Sequence, residues 1–368
     1  MISVTNPMIM KLLDRIRRRI ARAFASLDRR LMRPMSKSRF LSGIYYAFVN
    51  RSFAREHQAV LCGRLAFEAS RSGPKSTSSL LRRNTHRLEK GLIMRPRRDV
   101  FALDYIGETM KFYESTRRAS GSSSCVSPGE LRWAHEVLSD YFAAVASHPT
   151  IDPLRDRFYA LGPLDEGPQP QQRFVPYCRD LGVPPSVAYD DLLALAWRRR
   201  SVRWFRRDPV PRELVAKAVE VATLSPSACN RQPFYFHVFD DPAIIREVAD
   251  LPGGTTGFSH QFPMVIAVIG ELRNYYGERD RHIIYIDASL AVMSFVYAAE
   301  TLGLATCCIN WPDIEEDERR ADKVLRLQSD QRPIMFLAVG YPDPDGMVPF
   351  SQKKPVSQLC RFNFEETV

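Results

Sequence analysis

Residues 264–270 read MVIAVIG, residues 334–340 read IMFLAVG, and residues 286–302 between them read IDASLAVMSFVYAAETL. The first two runs are short, continuous and rich in β-branched residues, the pattern of strands covered on both faces. The third is too long for a strand and is nearly all apolar or small, with Asp287 and Ser289 near its start. A helix of that composition belongs inside a core or between subunits. Working outward, residues 234–239 (FYFHVF) predict a further strand, and residues 187–200 and 211–224 predict helices. Strands and helices succeed one another without a regular alternation, which favours an α+β fold over a doubly wound sheet.

The chain has 368 residues, enough for about two domains and a sizeable core. Its 45% hydrophobic and 26% charged residues exclude a wholly disordered or fibrous chain. No apolar run approaches the ~20 residues of a spanning helix, so neither an integral membrane protein nor a secretory leader is expected. The seven cysteines are adjacent only at Cys307-Cys308 and form no CxxC pair. They fit reduced thiols in the cytoplasm better than a disulfide framework or a zinc site.

The net charge of +10 suggests nucleic acid until it is located, because residues 1–40 alone carry +9. The remainder is near neutral and no reading motif is present, so nucleic-acid binding is not expected. Within the basic stretch Ile9, Leu12, Leu13, Ile16, Ile20, Phe24, Leu27 and Leu31 recur at three- or four-residue spacing between arginines, which predicts an amphipathic helix. Such a helix can lie on an anionic membrane surface as a peripheral attachment. Alternatively its stripe packs on the protein's own body, a second subunit or another protein partner.

Residues 44–148 are mostly helical in pattern, with Ser/Gly/Pro breaks at 70–79 and 120–129. Residues 162–176 hold four prolines together with Gln169, Gln171 and Gln172, and read as a linker. The expected organisation is a basic amphipathic arm at 1–55, a helical extension at 56–160, a linker at 161–176 and the main domain at 177–368.

Four segments of the main domain carry the chemistry. Arg199-Arg200-Ser201-Val202-Arg203 ends a helix with three guanidinium groups and a hydroxyl, donors suited to phosphate and carbonyl oxygens. Ser225-Pro226-Ser227-Ala228-Cys229-Asn230-Arg231-Gln232-Pro233 is a polar loop that delivers amides just before a strand. Leu302-Gly303-Leu304-Ala305-Thr306-Cys307-Cys308-Ile309-Asn310-Trp311 leaves the apolar helix at a glycine and becomes extended. Gly340-Tyr341-Pro342 is succeeded by the basic turn Ser351-Gln352-Lys353-Lys354-Pro355.

In order, spacing and wording these segments resemble the flavin-dependent nitroreductase family, across roughly residues 185–358. That resemblance implies an α+β sandwich, a homodimer formed through the long apolar helix, and FMN in the subunit interface. It places Arg199, Arg200, Ser201 and Arg203 at the flavin phosphate, ribityl chain and ring edge. Pro226, Ser227, Asn230 and Gln232 fall in the loop that reaches flavin, often from the second subunit. Asn310 and Trp311 lie where backbone N–H groups face the pyrimidine and N(5) side of the ring, and Lys353 matches a phosphate-binding base. Ser351 stands where many relatives carry a second cation, which thins the clamp. Cys229 in the flavin-facing loop and Cys307-Cys308 in the turn behind the ring read as small buried side chains rather than redox groups. The glycine-rich residues 252–262 occupy the place of a substrate lid.

Residues 86–92, HRLEKGL, resemble an extension found in longer nitroreductase-like proteins. His86, Glu89 and Lys90 share one helical face there and read as a solvated ion-pair cluster. No Ser/His/Asp triad or paired general acids appear, and His237, His260 and His282 read as structural; hydride chemistry would belong to the flavin. The expected activity is transfer of a hydride from NADH or NADPH, or another two-electron donor, through FMN to a small organic acceptor. Two rivals remain open: a dehydrogenase that passes electrons from a biosynthetic intermediate to oxygen, and a non-catalytic flavin-binding scaffold at a membrane-associated assembly.

Overall fold

The computed structural model describes residues 7–71, 77–118, 125–164 and 173–364. Strands β1 (Phe234–Phe239), β2 (Met264–Glu271), β3 (Ala305–Asn310) and β4 (Gln331–Gly340) form an antiparallel sheet in the order β1-β2-β4-β3. Helices α1 (Pro7–Met35), α2 (Arg39–Ile44), α3 (Ala54–Ser70), α4 (Ser79–Leu92), α5 (Ile106–Arg118), α6 (Pro128–Ala144) and α7 (Asp152–Ala160) precede it. Helices α8 (Tyr189–Arg198), α9 (Arg212–Thr223), α10 (Pro242–Ala249), α11 (Ile283–Thr301), α12 (Glu315–Val324) and α13 (Val356–Leu359) complete the α+β domain.

The two continuous apolar runs are the central strands, β2 and β4, with Ile266 opposite Leu337 and Val268 opposite Met335. Successive side chains of a strand face opposite ways. Met264, Ile266 and Val268 therefore enter one core with α9 and α11, while Val265, Ala267 and Ile269 enter another with α10 and α12. Both faces being covered explains why neither strand shows polar alternation. Cys307 and Cys308 belong to β3 rather than to a turn; Gly303, at φ +78°, makes the turn that precedes it.

The stretch expected to be one helical extension divides in two. Ala59 and Val60 of α3 lie in the same core as β2 and α11. Gly63 sits so close to Leu272 that an added Cβ would come within 2.7 Å of the Leu272 Cβ. At the start of α3, Arg55 pairs with Glu315 at 3.1 Å and Asp322 at 2.6 Å on α12. By contrast α4, α5, α6 and α7 build a separate core around Leu88, Met110, Tyr113, Tyr141 and Phe158. The linker leans on α6, where Arg173 meets Asp140 at 2.6 Å and Phe174 lies under Arg132.

Of the arm's apolar stripe, Ile16 and Leu27 are exposed and Leu31 is half-buried. The side chains of Ile9, Leu12, Leu13, Ile20 and Phe24 lie outside the described residues. The Tyr45 hydroxyl donates to Asp28 and ties α1 to the helical turn at residues 45–49.

One expectation needs correcting: Glu278–Thr301, which is α11 with the turn before it, has the length and composition of a membrane-spanning helix. Half of it is buried inside the protein, where Ala288, Val292, Phe295 and Val296 pack in the core with the sheet and α9. Its other face, with Ile286 and Leu290, is exposed.

Candidate active site

The arginine turn is seated on the β3 edge of the sheet. Helix α8 ends at Arg198, and the chain turns extended at Arg199, with φ −60° and ψ 124°. Ser201 bridges Thr306 in parallel fashion, and the Val202 N–H donates to the Thr306 carbonyl at 3.1 Å. This threads Arg199, Arg200 and Arg203 past β3. The Arg199 Nε is buried without a hydrogen-bond partner. Arg200 lies over the Trp197 ring at 5.4 Å, and Arg203 lies over Phe258 at 5.8 Å. None of the three forms an ion pair with a carboxylate among the described residues. Burial pushes the Cys307 thiol up, with nearby Arg203 opposing the shift, so this cysteine is a weak nucleophile.

The fourth segment supports this turn. Phe205 bridges Pro342, the Arg206 N–H donates to Tyr341 at 2.9 Å, and the Asp343 N–H donates to Trp204 at 3.0 Å. Gly340 is required there, since a Cβ would lie 2.5 Å from Pro263 and 2.9 Å from Phe205. From the glycine-rich segment, Gln261 accepts from the Phe205 N–H at 2.8 Å and donates to the Arg203 carbonyl. Thr255 is buried beneath the same segment. The expected lid is therefore anchored to the arginine turn.

The amide loop lies elsewhere, before β1 at the opposite edge of the sheet. Three interstrand steps of ~4.8 Å put about 14 Å between the two edges. Cys229, Asn230 and Gln232 all have positive φ, at 54°, 52° and 49°. Such left-handed non-glycine residues persist where surroundings over-determine them. Asp287 accepts from the Ala228 N–H at 2.9 Å, and Ser227 accepts from the Gln232 N–H at 3.1 Å. Arg82 of α4 donates to the Asn230 carbonyl at 2.6 Å and to the Gln232 side chain at 3.1 Å, while also pairing with Glu130 at 2.8 Å. Pro226 is exposed at the loop's tip.

The remaining expected residues are scattered. Asn310 is exposed at the end of β3, whereas the Trp311 ring is buried and its indole N–H donates to Glu318 at 2.7 Å. Only the Trp311 backbone is thus left to face a ligand. Ser351 and Lys353 lie on an exposed C-terminal tail and are not brought against the arginine turn within one chain. Sequence reasoning missed Arg82, which no local pattern marks, and the role of Asp287. A carboxylate in the first half of a nearly all-apolar helix was the available signal for the latter; burial raises its carboxyl above the usual range, against the Ala228 and Tyr275 hydrogen bonds.

A family model described as the nitroreductase family matches residues 196–255 and 248–341. The C-terminal half carries a nitroreductase-family domain. Among curated relatives, iodotyrosine deiodinase 1 of Sus scrofa is 26% identical over 190 residues, covering 44% of this chain and 65% of its own length. An NADH dehydrogenase of Thermus thermophilus is 33% identical over 93 residues, covering 25% of this chain and 45% of its own length. The chain thus spans less than two thirds of either relative. Among solved structures, an FMN-dependent nitroreductase from Clostridium difficile is 21% identical with a TM-score of 0.40, covering 47% of this chain and 99% of its own. A nitroreductase family protein from Streptococcus pneumoniae is 23% identical with a TM-score of 0.41, covering 47% and 100%.

The residues of the nitroreductase domain fit FMN on physical grounds. The arginine turn offers guanidinium donors without carboxylate partners, one of them with a buried orphan N–H. That is the donor set a doubly charged phosphate requires.

Proposed function

We propose that this chain is a homodimeric FMN-dependent oxidoreductase that passes a hydride from NADH or NADPH to a small organic acceptor. The observation that carries this reading is the carboxylate-free arginine turn seated on β3 inside a nitroreductase-family domain. Arg199, Arg200, Ser201 and Arg203 would hold the phosphate, ribityl chain and ring edge, with Lys353 joining them once the exposed tail closes on the dimer. Asn310 and Trp311 would offer backbone N–H groups to the pyrimidine and N(5) side, where fixed donors stabilise negative charge. When bound, FMN supplies the two-electron chemistry; the protein orients it and excludes water.

Two features support a homodimer. The arginine turn and the loop bearing Pro226, Ser227, Asn230 and Gln232 sit at opposite sheet edges, so one flavin meets both only if a second copy contributes the loop. Large apolar side chains are also uncovered on α8 (Leu192, Leu193, Trp197), on α11 (Ile286, Leu290) and on the tail (Phe350, Leu359, Phe364). Helices α8 and α11 pack side by side, so their uncovered side chains lie near one another, as on an association face.

The test is an absorption spectrum of the purified protein, flavin release on denaturation, and anaerobic addition of NADH and NADPH. Yellow protein with one FMN per subunit that bleaches with either nucleotide is the expected result. Colourless protein that fails to take up FMN would remove the reading. Flavin that bleaches only with an organic substrate and recovers with oxygen would favour the outward-running dehydrogenase; flavin that no donor reduces would favour the scaffold. A second acceptor class, a halogenated aromatic ring, is suggested by the deiodinase match alone.

For the arm we infer a cytoplasmic protein attached peripherally to an anionic membrane. The exposed Ile16 and Leu27 support this over self-packing, and each Lys or Arg near such a surface contributes ~1 kcal/mol. Deleting residues 1–38 should abolish sedimentation with anionic liposomes and leave flavin in place. A full chain that ignores liposomes, with a truncated form that melts much earlier, would show the arm to be structural.

A further inference from the structure

Away from the arginine turn, the seam between α3, α4, α5 and the turn at residues 276–280 encloses a cavity of about 610 Å³. Ligand pockets commonly fall in the range of ~300–1,000 Å³. One wall is apolar, from Phe67, Leu80 and the half-exposed ring of Tyr276; the other carries Arg71, Arg83 and Arg231.

The charges around it do not balance locally. Each carboxylate at the cavity already has a cation: Glu108 is paired with Arg71 at 2.7 Å, Glu278 with Arg64, and Asp280 with Arg279 at 3.5 Å. Arg83 and Arg231 are left without a carboxylate in ion-pair range among the described residues. Arg231 is 8% exposed, its Nε is sealed from solvent without a hydrogen-bond partner, and its guanidinium lies over the Tyr275 ring at 4.7 Å. Burial disfavours the charge on Arg83, and the neighbouring guanidiniums of Arg87 and Arg231 add to this, outweighing the opposing field of Glu108; Arg231 in turn draws down the buried Asp287 carboxyl, with which it forms no ion pair. A buried guanidinium, Arg231, and a half-buried one, Arg83, close enough to repel are costly unless something negative joins them. A phosphate or carboxylate would do so, because its oxygens match the planar guanidinium fork.

We propose that this cavity is a binding site for a small ring-bearing oxyanion, its phosphate or carboxylate held by Arg83 and Arg231 and its ring against Tyr276 and Phe67. The site is separate from the flavin residues at the β3 edge. It lies behind the amide loop, since Arg231 comes directly after Asn230, whose carbonyl Arg82 of α4 holds. The HRLEKGL stretch continues the helix that supplies Arg83, which gives the helical extension a ligand-binding role beyond that of a spacer.

The full-length, FMN-loaded protein is titrated with phenyl phosphate, benzoate and inorganic phosphate, with phenol as the uncharged control, by calorimetry and by thermal unfolding. Saturable binding and a raised Tm are expected for at least one aromatic anion, more weakly for inorganic phosphate and not for phenol. Which aromatic anion binds more tightly separates a phosphate site from a carboxylate site. Arg83→Met and Arg231→Met should each weaken binding about tenfold or more, the loss of a charge-assisted donor, while flavin absorbance persists. Without ligand, Arg83→Met should melt no lower than the parent, because a charge lacking a partner has been removed; Arg83→Lys should retain part of the binding. Absence of saturable binding by all three anions would overturn the proposal. So would an Arg83→Met protein that melts earlier yet responds to the anions as the parent does, which would make Arg83 a structural residue.

Discussion

Arg82→Met tests whether the helical extension fixes the amide loop. The side chain is 14% exposed and makes three charge-assisted contacts, with the Asn230 carbonyl at 2.6 Å, the Gln232 side chain at 3.1 Å and Glu130 at 2.8 Å. Glu130 is not stranded by the change, because the Ser78 hydroxyl at 2.7 Å and the Ser127 N–H at 2.9 Å remain. The cost should therefore fall below the ~3–5 kcal/mol of a fully buried broken pair and near the ~1.5–3 kcal/mol of charged hydrogen bonds. At ~2–4 °C per kcal/mol, melting should fall by about 3–12 °C. The left-handed Asn230 and Gln232 lose an anchor at the same time, so FMN retention should weaken about tenfold, near 1.4 kcal/mol. A melting curve read beside flavin fluorescence on dilution measures both, and Arg82→Lys should recover little, since an ammonium cannot replace the fork. Melting and flavin retention both equal to the parent would refute the reasoning.

Three further outcomes are expected. Gly63→Val should lower stability to urea by about 2 kcal/mol, the order of an overpacked core, because even a Cβ lies 2.7 Å from Leu272; unchanged unfolding would mean that α3 is not docked as described. Arg203→Ala combined with Lys353→Ala should release FMN on dilution, each lost charged bond to phosphate weakening binding by ~1.5–3 kcal/mol, with released flavin fluorescence as the readout. Burial would raise the Glu130 carboxyl, but Arg82, the Ser127 N–H and Ser78 outweigh it and hold it below the ordinary range. Its contribution should thus be complete above an unfolded pKa of ~4.3 and lost as pH falls through the lower folded value, and a Glu130→Gln protein should show a flatter acid limb in melting against pH.

Much of the domain was legible because β2, β4 and α11 are apolar on all sides, a pattern that surface elements do not imitate. The arginine turn was legible as three guanidiniums at a helix end. What escaped was long-range. The Ser/Gly/Pro break at 70–79 read as an interruption within one helical extension, yet α3 before it is bound to the C-terminal core through Val60 and Gly63, the latter against Leu272 some two hundred positions away. Arg82 had the look of an ordinary basic residue on a helix, because its partners at Asn230 and Gln232 lie on a distant loop. The extended reading of the stretch after Gly303 holds, since pairing with β4 makes residues 305–310 a strand; the turn assigned to Cys307 and Cys308 came with the family resemblance, and it closes earlier, at Gly303.

The width of the sheet between the arginine turn and the amide loop has a genetic corollary. A lesion at Arg203 and a lesion at Asn230 would damage opposite edges of the protein. If the chain pairs as proposed, a mixed pair in cells expressing both defective alleles would unite the two intact edges in one site and the two broken edges in the other. Random pairing would then restore on the order of a quarter of the normal number of sites. Interallelic complementation, with neither parent active alone, would be the inherited signature of a centre that no single chain completes.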